Sequence, residues 1–322
     1  MLAGIASAVL AGLMWGLIFI TPWLVPDYPA VMLSAGRYLA FGLICLPLGW
    51  LARPQLRALR RQDWWVATRL TLVGNLLYYL CLAAAIRRTG SPITTMIIGT
   101  LPVVMAVAAQ WQYRRQGQQL AWRRLLPGLL LIAAGLLAVN YQELQDTALA
   151  ADPWRFGSGL LLAVLALFSW TWYPLRNARW LHEHPQHSAS TWATAQGLVT
   201  LPLAALAYVL ACVGLAWQNP DFPLPAGPQP DHYLPLMLII GLLCSWLGTH
   251  CWNYASQHLP ATLLGPLVVA ETLAGLLYSF ILRQRWPPLS TALGIGLLVL
   301  GVLYALQTQR RLLVPAKRQK AH

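Results

Sequence analysis

Apolar residues in this chain gather in runs of about twenty, a length that lets a helix cross the hydrocarbon of a bilayer, with short polar stretches between them. The runs lie near 3–23, 31–51, 66–86, 92–111, 124–141, 157–177, 190–214, 233–254, 260–282 and 289–308. Strand-like alternation is absent, which argues against an outer-membrane barrel. The pattern predicts an all-α polytopic membrane protein with ten transmembrane helices. Prolines inside the runs (Pro47, Pro102, Pro174, Pro202, Pro266) would break soluble helices. In a membrane bundle, neighbouring helices or water take up the freed backbone groups. The first run lacks the basic leader and small-residue cleavage site of a signal peptide and is read as a retained first span.

Composition strengthens this reading. The 322 residues are 58% hydrophobic and 10% charged, with mean hydropathy +0.55, whereas roughly a quarter of a soluble domain is charged. The net charge of +13 does not point to nucleic acid, because the basic residues form short clusters between apolar runs rather than one patch. They report topology instead. With the N-terminus in the cytoplasm, fifteen basic residues fall inside: Arg53, Arg57, Arg60 and Arg61; Arg114, Arg115, Arg123 and Arg124; Arg176 and Arg179; and Arg310, Arg311, Lys317, Arg318 and Lys320. Five fall outside, namely Arg87, Arg88, Arg155, Arg283 and Arg285, together with the acids Asp27, Glu143, Asp146, Asp152, Asp221 and Asp231. Both termini are therefore expected in the cytoplasm. The five cysteines sit in or near apolar runs without a CxxC pair and read as small packing residues rather than as metal or redox ligands.

Ten spans divide into two fives, and traces of a repeat run through them. Ser91–Pro92 aligns with Leu259–Pro260, and with a two-residue shift Gly128 and Gly135 align with Gly294 and Gly301. An odd number of spans per half forces the second half to enter the membrane from the opposite side, the inverted-repeat plan of many secondary transporters. The expected organisation is a five-helix repeat over 1–145, a second over 146–309 and a basic cytoplasmic tail over 310–322.

The order of several short pieces resembles the EamA-type carriers of the drug/metabolite transporter superfamily. They are Trp15–Gly16 in the first span, Arg37-Tyr-Leu-Ala in the second, SPITTMIIGTLPVVMAV after a short basic turn, and the glycine-patterned PGLLLIAAGLLAV and LGIGLLVLGVLYAL in the fifth and tenth. The resemblance covers 1–308. Family members commonly close the fourth and ninth spans with Gly-Glu, where this chain has QYRRQGQQ and ILRQRWPP. The resemblance implies a multi-pass protein of the bacterial inner membrane that transports metabolites or organic cations through a central cavity between two halves.

Several polar and aromatic residues lie deep in the runs. Glu271 stands inside ATLLGPLVVAETLAGLLYSFIL, about five residues after Pro266, in a chain of only 9 acidic residues. An intramembrane carboxyl faces a cavity or a partner. Glu271 can carry a coupled proton, pair with a cationic substrate or an arginine, or serve packing. Arg37 is the intramembrane cation that can pair with it or hold a substrate carboxylate. In the eighth span Trp246, His250 and Asn253 share a face at spacings of three and four, and in the third Asn75, Tyr78 and Tyr79 repeat that geometry. Rings and amides together suit an amphipathic ligand. Trp15, Trp170 and Trp246 are internal and are candidates to line a site. Trp23, Trp50, Trp64, Trp65, Trp111, Trp122, Trp154 and Trp286 sit at span ends, as belt residues do.

No nucleotide loop, zinc spacing or catalytic triad pattern appears, so neither an enzyme nor a cofactor is expected. The expected function is secondary transport of a small amphipathic metabolite such as an amino acid, in the export direction. Two alternatives stay open: an organic-cation or quaternary-amine transporter, and a membrane-embedded enzyme or sensor. The expected partners are the substrate, the lipid bilayer and, where Glu271 carries one, a proton. The expected assembly is a monomer or weak homodimer.

Overall fold

The computed structural model of the chain describes residues 1–89, 94, 97–115, 122–139, 152–284 and 286–319. The expected repeat boundary between residues 145 and 146, with Glu143 and Asp146, lies outside the described residues. Helices follow one another as α1 (Leu2–Phe19), α2 (Ala30–Leu51), α3 (Arg61–Thr89), α4 (Leu101–Arg115), α5 (Trp122–Val139), α6 (Pro153–Glu183), α7 (Ala189–Gln218), α8 (Pro230–His258), α9 (Ala261–Arg283) and α10 (Leu289–Gln319). Short helices Thr21–Leu24 and Arg53–Arg57 fill two connections. Among the described residues eight helices, all of these but α4 and α5, are long and apolar enough to cross a membrane.

Helix ends depart from the apolar runs for local reasons. α3 starts five residues before its run because the Asp63 carboxylate accepts the Arg60 backbone N–H at 2.8 Å, capping a polar first turn. α6 continues past its run to Glu183, where an Arg179–Glu183 pair at 2.7 Å spans one turn. Ser188 caps α7 by accepting the Thr191 N–H at 3.1 Å. The fourth run, expected near 92–111, is interrupted by a turn at Thr100, and regular helix resumes at Leu101. Pro102 lacks the N–H that would carry the ladder across this point. Arg155, one of the basic residues expected outside, donates Nη2 to the Arg87 backbone carbonyl at 3.1 Å near the end of α3.

α3 and α8 share an irregularity that neither run announced. Both are 29 residues long, and in each an opening α-helical stretch of 11 residues gives way to a π-helical segment, Leu72–Leu77 in one and Gly241–Leu247 in the other. The third and eighth helices thus match in length and in the position of the break.

The chain divides into two compact units, each drawing three separate segments from both halves of the sequence. Unit 1 comprises Met1–Leu76, Arg176–His258 and Ala270–Gln284. In it α1 packs on the second part of α8, and α2 packs along α7 and on the π segment of α8. Small residues set the close approach: a Cβ on Gly42 would lie 2.6 Å from the Leu201 Cβ. At one end Tyr28, Met32, Phe222 and Tyr233 form an apolar cluster, with Tyr28 and Tyr233 stacked at 4.4 Å.

Unit 2 comprises Leu77–Leu175, Leu259–Val269 and Arg285–His322, and its principal packing is α5 against α10. The four glycines of the repeat alignment meet there. A Cβ on Gly128 would lie 3.1 Å from the Gly301 carbonyl, and one on Gly135 would lie 2.8 Å from the Gly294 carbonyl. Each glycine packs on the partner of the other, as residues do around a two-fold axis.

The tryptophans expected at span ends are outward where their side chains are described: Trp23, Trp50, Trp65, Trp111, Trp154 and Trp286 are all exposed. Trp64 is half-buried.

Candidate substrate site

The opposite intramembrane charges both belong to unit 1. Arg37 lies midway along the front part of α2, with its guanidinium carbon 4.4 Å from the Tyr38 ring centroid. Tyr38 in turn donates its hydroxyl to Asn75 Oδ1 at 3.3 Å, tying α2 to the π segment of α3. Glu271 is positioned by the crossing of α9 with α1. A Cβ on Gly12 would lie 2.7 Å from the Ala270 Cβ and 2.9 Å from the Glu271 amide nitrogen. Gly12 and Gly16 on α1 face Ala270 and Ala274 on α9, a small-xxx-small contact on both sides. The charges of Arg37 and Glu271 act on one another, and the Cys244 thiol in the π segment of α8 lies in the field of both. Four helices therefore converge on one charged region: α2, α3 through Tyr38, α8 and α9.

The aromatic and amide residues of α8 divide by what engages them. Trp246 donates Nε1 to Thr194 Oγ1 at 3.0 Å and stacks over His250 at 5.8 Å. The Nδ1 atom of His250 is buried and has no hydrogen-bond partner among the described residues. Asn253 belongs to a buried network: it accepts Asn177 Nδ2 at 2.8 Å, while Asn177 Oδ1 accepts Trp192 Nε1 at 2.8 Å and Gln196 Nε2 at 3.0 Å. Buried amides in an apolar bundle need such partners. This network holds α6, α7 and α8 together.

Trp15 is nearly buried, donates Nε1 to the Cys244 carbonyl at 2.7 Å and packs on Trp252 at 5.3 Å. The π segment makes that carbonyl available, since its i→i+5 pattern disturbs the regular ladder. Unit 2 holds the other three candidates. Tyr78 stacks on Trp170 at 5.1 Å, and Trp170 on Tyr173 at 5.3 Å with planes 3° apart. Tyr79 beside them is half-buried.

Tyr38, Cys244, Asn177, Gln196 and Tyr173 were not legible as participants. Cys244 stands 169 positions after Asn75, the interval that separates the starts of the two π segments, a correspondence that the apolar runs do not announce. Asn177 had none, since a single amide near a span end is ordinary sequence.

Comparison with known proteins gives the same architecture. The model of the EamA-like transporter family matches residues 2–141 and 157–307. The Inner membrane protein YtfF of Escherichia coli (strain K12) is 54% identical over 309 residues, covering 96% of this chain and 96% of that protein. A solved crystal structure superposes with a TM-score of 0.70, covering 94% of this chain and 98% of the other at 18% identity, a likeness that establishes the shared fold.

Proposed function

The chain belongs to the EamA-like transporter family, and from that premise we propose that it exports a small zwitterionic metabolite such as an amino acid across a bacterial inner membrane. It is a secondary transporter of small molecules rather than an enzyme. The observation that carries the substrate class is the placement of both opposite intramembrane charges in unit 1, Arg37 on α2, which packs on the π segment of α8, and Glu271 on α9 where it meets Gly12 of α1. A zwitterion engages both signs, its carboxylate at the Arg37 fork and its ammonium at Glu271. Asn75, Trp246 and His250 supply polar and ring contacts beside the charges in this reading. The inner membrane is suggested by the description of the Escherichia coli relative.

A second reading, transport of an organic or quaternary amine, draws on Glu271 and on the stacked rings of Tyr78, Trp170 and Tyr173. It has no use for Arg37. Counterflow in proteoliposomes separates the two: export of a zwitterion predicts exchange of labelled amino acids and loss of that exchange in Arg37→Gln. Exchange of a quaternary ammonium compound alone, unaffected by Arg37→Gln, would overturn the first reading in favour of the second.

The proposal includes ten crossings as two inverted five-helix repeats, with both termini, 52–63 and 112–123 in the cytoplasm, and 142–153 and 216–232 on the other side. The fifteen-to-five division of basic residues supports it. In a cysteine-free background, a cysteine at position 57 should label only from inside and one at 146 only from outside. The reverse pattern at either position would refute the orientation.

A further inference from the structure

Between α2 and α3 the chain presents Arg53, Arg57, Arg60 and Arg61, all exposed. The connection is pinned, because Leu56 and Leu59 are buried. The sole acid between residues 50 and 75, Asp63, does not neutralise this surface. It is buried, accepts the Arg60 N–H and Trp180 Nε1 at 3.0 Å, and lies 3.7 Å from His184 Nε2. Leu56 and Leu59 thus hold the backbone of the connection, and its four exposed arginines have no exposed acid within the same stretch of sequence.

One side of this cluster runs onto a surface suited to lipid. Arg61, Trp65 and Arg69 follow one another at single-turn spacing on α3, and all three are exposed. The Arg69 guanidinium carbon lies 5.0 Å from the Trp65 ring centroid. Helical side chains lean toward the N-terminus, so Arg69 reaches back over the indole toward Arg61. Three residues beyond Arg69 the face continues as exposed Leu72, and Trp50 and Leu51 flank the cluster, also exposed. A guanidinium facing hydrocarbon is costly without a counter-anion, and its planar fork matches phosphate oxygens.

We propose that Arg61, Trp65 and Arg69, with Arg57 beside them, bind the phosphodiester headgroup of an anionic phospholipid whose acyl chain lies along Leu72. The occupant is a lipid rather than a soluble polyanion because Trp65 and Leu72 contribute only when apolar chains accompany the phosphate. Interfacial arginines favour anionic over zwitterionic headgroups for the same electrostatic reason that polybasic segments do. The site is independent of the substrate reading.

Native mass spectrometry of the purified full chain, titrated with phosphatidylglycerol or phosphatidylcholine, reads the site directly. Phosphatidylglycerol should bind in preference to phosphatidylcholine. Arg69→Gln and Trp65→Leu should each weaken it about five-fold. Arg123→Gln with Arg124→Gln, an exposed basic pair at the start of α5, should leave the preference unchanged. Melting temperature without added lipid is the folding control, and Arg61→Gln carries the test if Arg69→Gln folds poorly. Equal binding of the two lipids would overturn the proposal. So would an equal loss in the Arg123/Arg124 variant, which would mark diffuse attraction, or displacement of the lipid by inorganic phosphate at matching concentration, which would mark a free-anion site.

Discussion

Glu271→Gln is expected to abolish substrate accumulation driven by a pH gradient while leaving exchange down the substrate's own gradient measurable. A neutral amide mimics only the proton-loaded carboxyl, so a coupled cycle that must release the proton on the second side cannot close. The same substitution removes the charge that would hold a substrate ammonium, and a hydrogen bond to a charged group contributes about 1.5–3 kcal/mol. Apparent affinity for a zwitterion should therefore fall about ten- to hundred-fold. Because the Arg37 and Glu271 charges act on one another, the single variant also removes one of two opposite half-buried charges, and it should lower stability by less than the about 3–5 kcal/mol lost when a fully buried pair is broken. Arg37→Gln added to it should restore part of that stability without restoring coupled transport. Flux in proteoliposomes with and without a pH gradient, and chemical unfolding of both variants and the double variant, check these outcomes together. Undiminished pH-driven accumulation by a well-folded Glu271→Gln protein would remove the proton role. Wild-type affinity would remove the ammonium role.

The second large effect concerns the packing of α5 on α10. A Cβ on Gly294 would lie 2.7 Å from the Gly135 carbonyl oxygen and 2.8 Å from the Val139 amide nitrogen. Both are backbone atoms, so no rotamer change relieves the clash and the helices must separate. Separation also loosens the Gly128–Gly301 contact on the same face. Gly294→Ala is expected to destabilise by about 1–3 kcal/mol, the usual range for overpacking, and Gly294→Leu to eliminate folded protein. Two residues along, a Cβ on Gly296 would have no heavy atom of a neighbour within 4 Å, and Gly296→Ala should stay within about 0.5 kcal/mol of the parent. Thermal unfolding of the two alanine variants side by side is the measurement, and equal stability would show that this crossing does not need glycine.

Hydropathy made the positions of the helices legible because membrane length is a physical threshold. The run at 31–51 became Ala30–Leu51, and that at 260–282 became Ala261–Arg283. Helix ends were less legible where polar residues continue a helix beyond its apolar run. Arg61–Trp65 extends α3 because Asp63 caps it, and that capping role also explains why an acid at a span edge is buried. The glycine alignment was faint in sequence and has a spatial counterpart, the reciprocal contact of Gly128 and Gly135 with Gly301 and Gly294.

The candidate site was legible by residue type and only partly by grouping. Arg37, Asn75 and Glu271 stand out as polar groups deep in apolar runs, and they fall in one unit. Trp15 and Asn253 stand out equally, yet their hydrogen bonds go to the Cys244 carbonyl and to Asn177. Sequence spacing places a residue on a helix face but does not say what that face meets. Tyr78 and Tyr79 illustrate the limit: they begin the stretch that follows the π segment, where counting faces from Asn75 fails.

That segment has a consequence for how the third and eighth helices tolerate change. A π turn accommodates one residue more than an α turn, which rotates everything after it by about 100° relative to an unbroken helix. The opening eleven residues and the closing stretch of each helix are consequently phased separately, so one continuous crossing offers differently oriented faces at its two ends. Removing one residue from Leu72–Leu77 or from Gly241–Leu247 would let an α turn replace the wider one and leave later side chains, Tyr78 or Trp252 included, on their present faces. In these two helices a one-residue deletion is therefore milder inside the π segment than in the regular stretches on either side, where it rotates every side chain beyond it by about 100°.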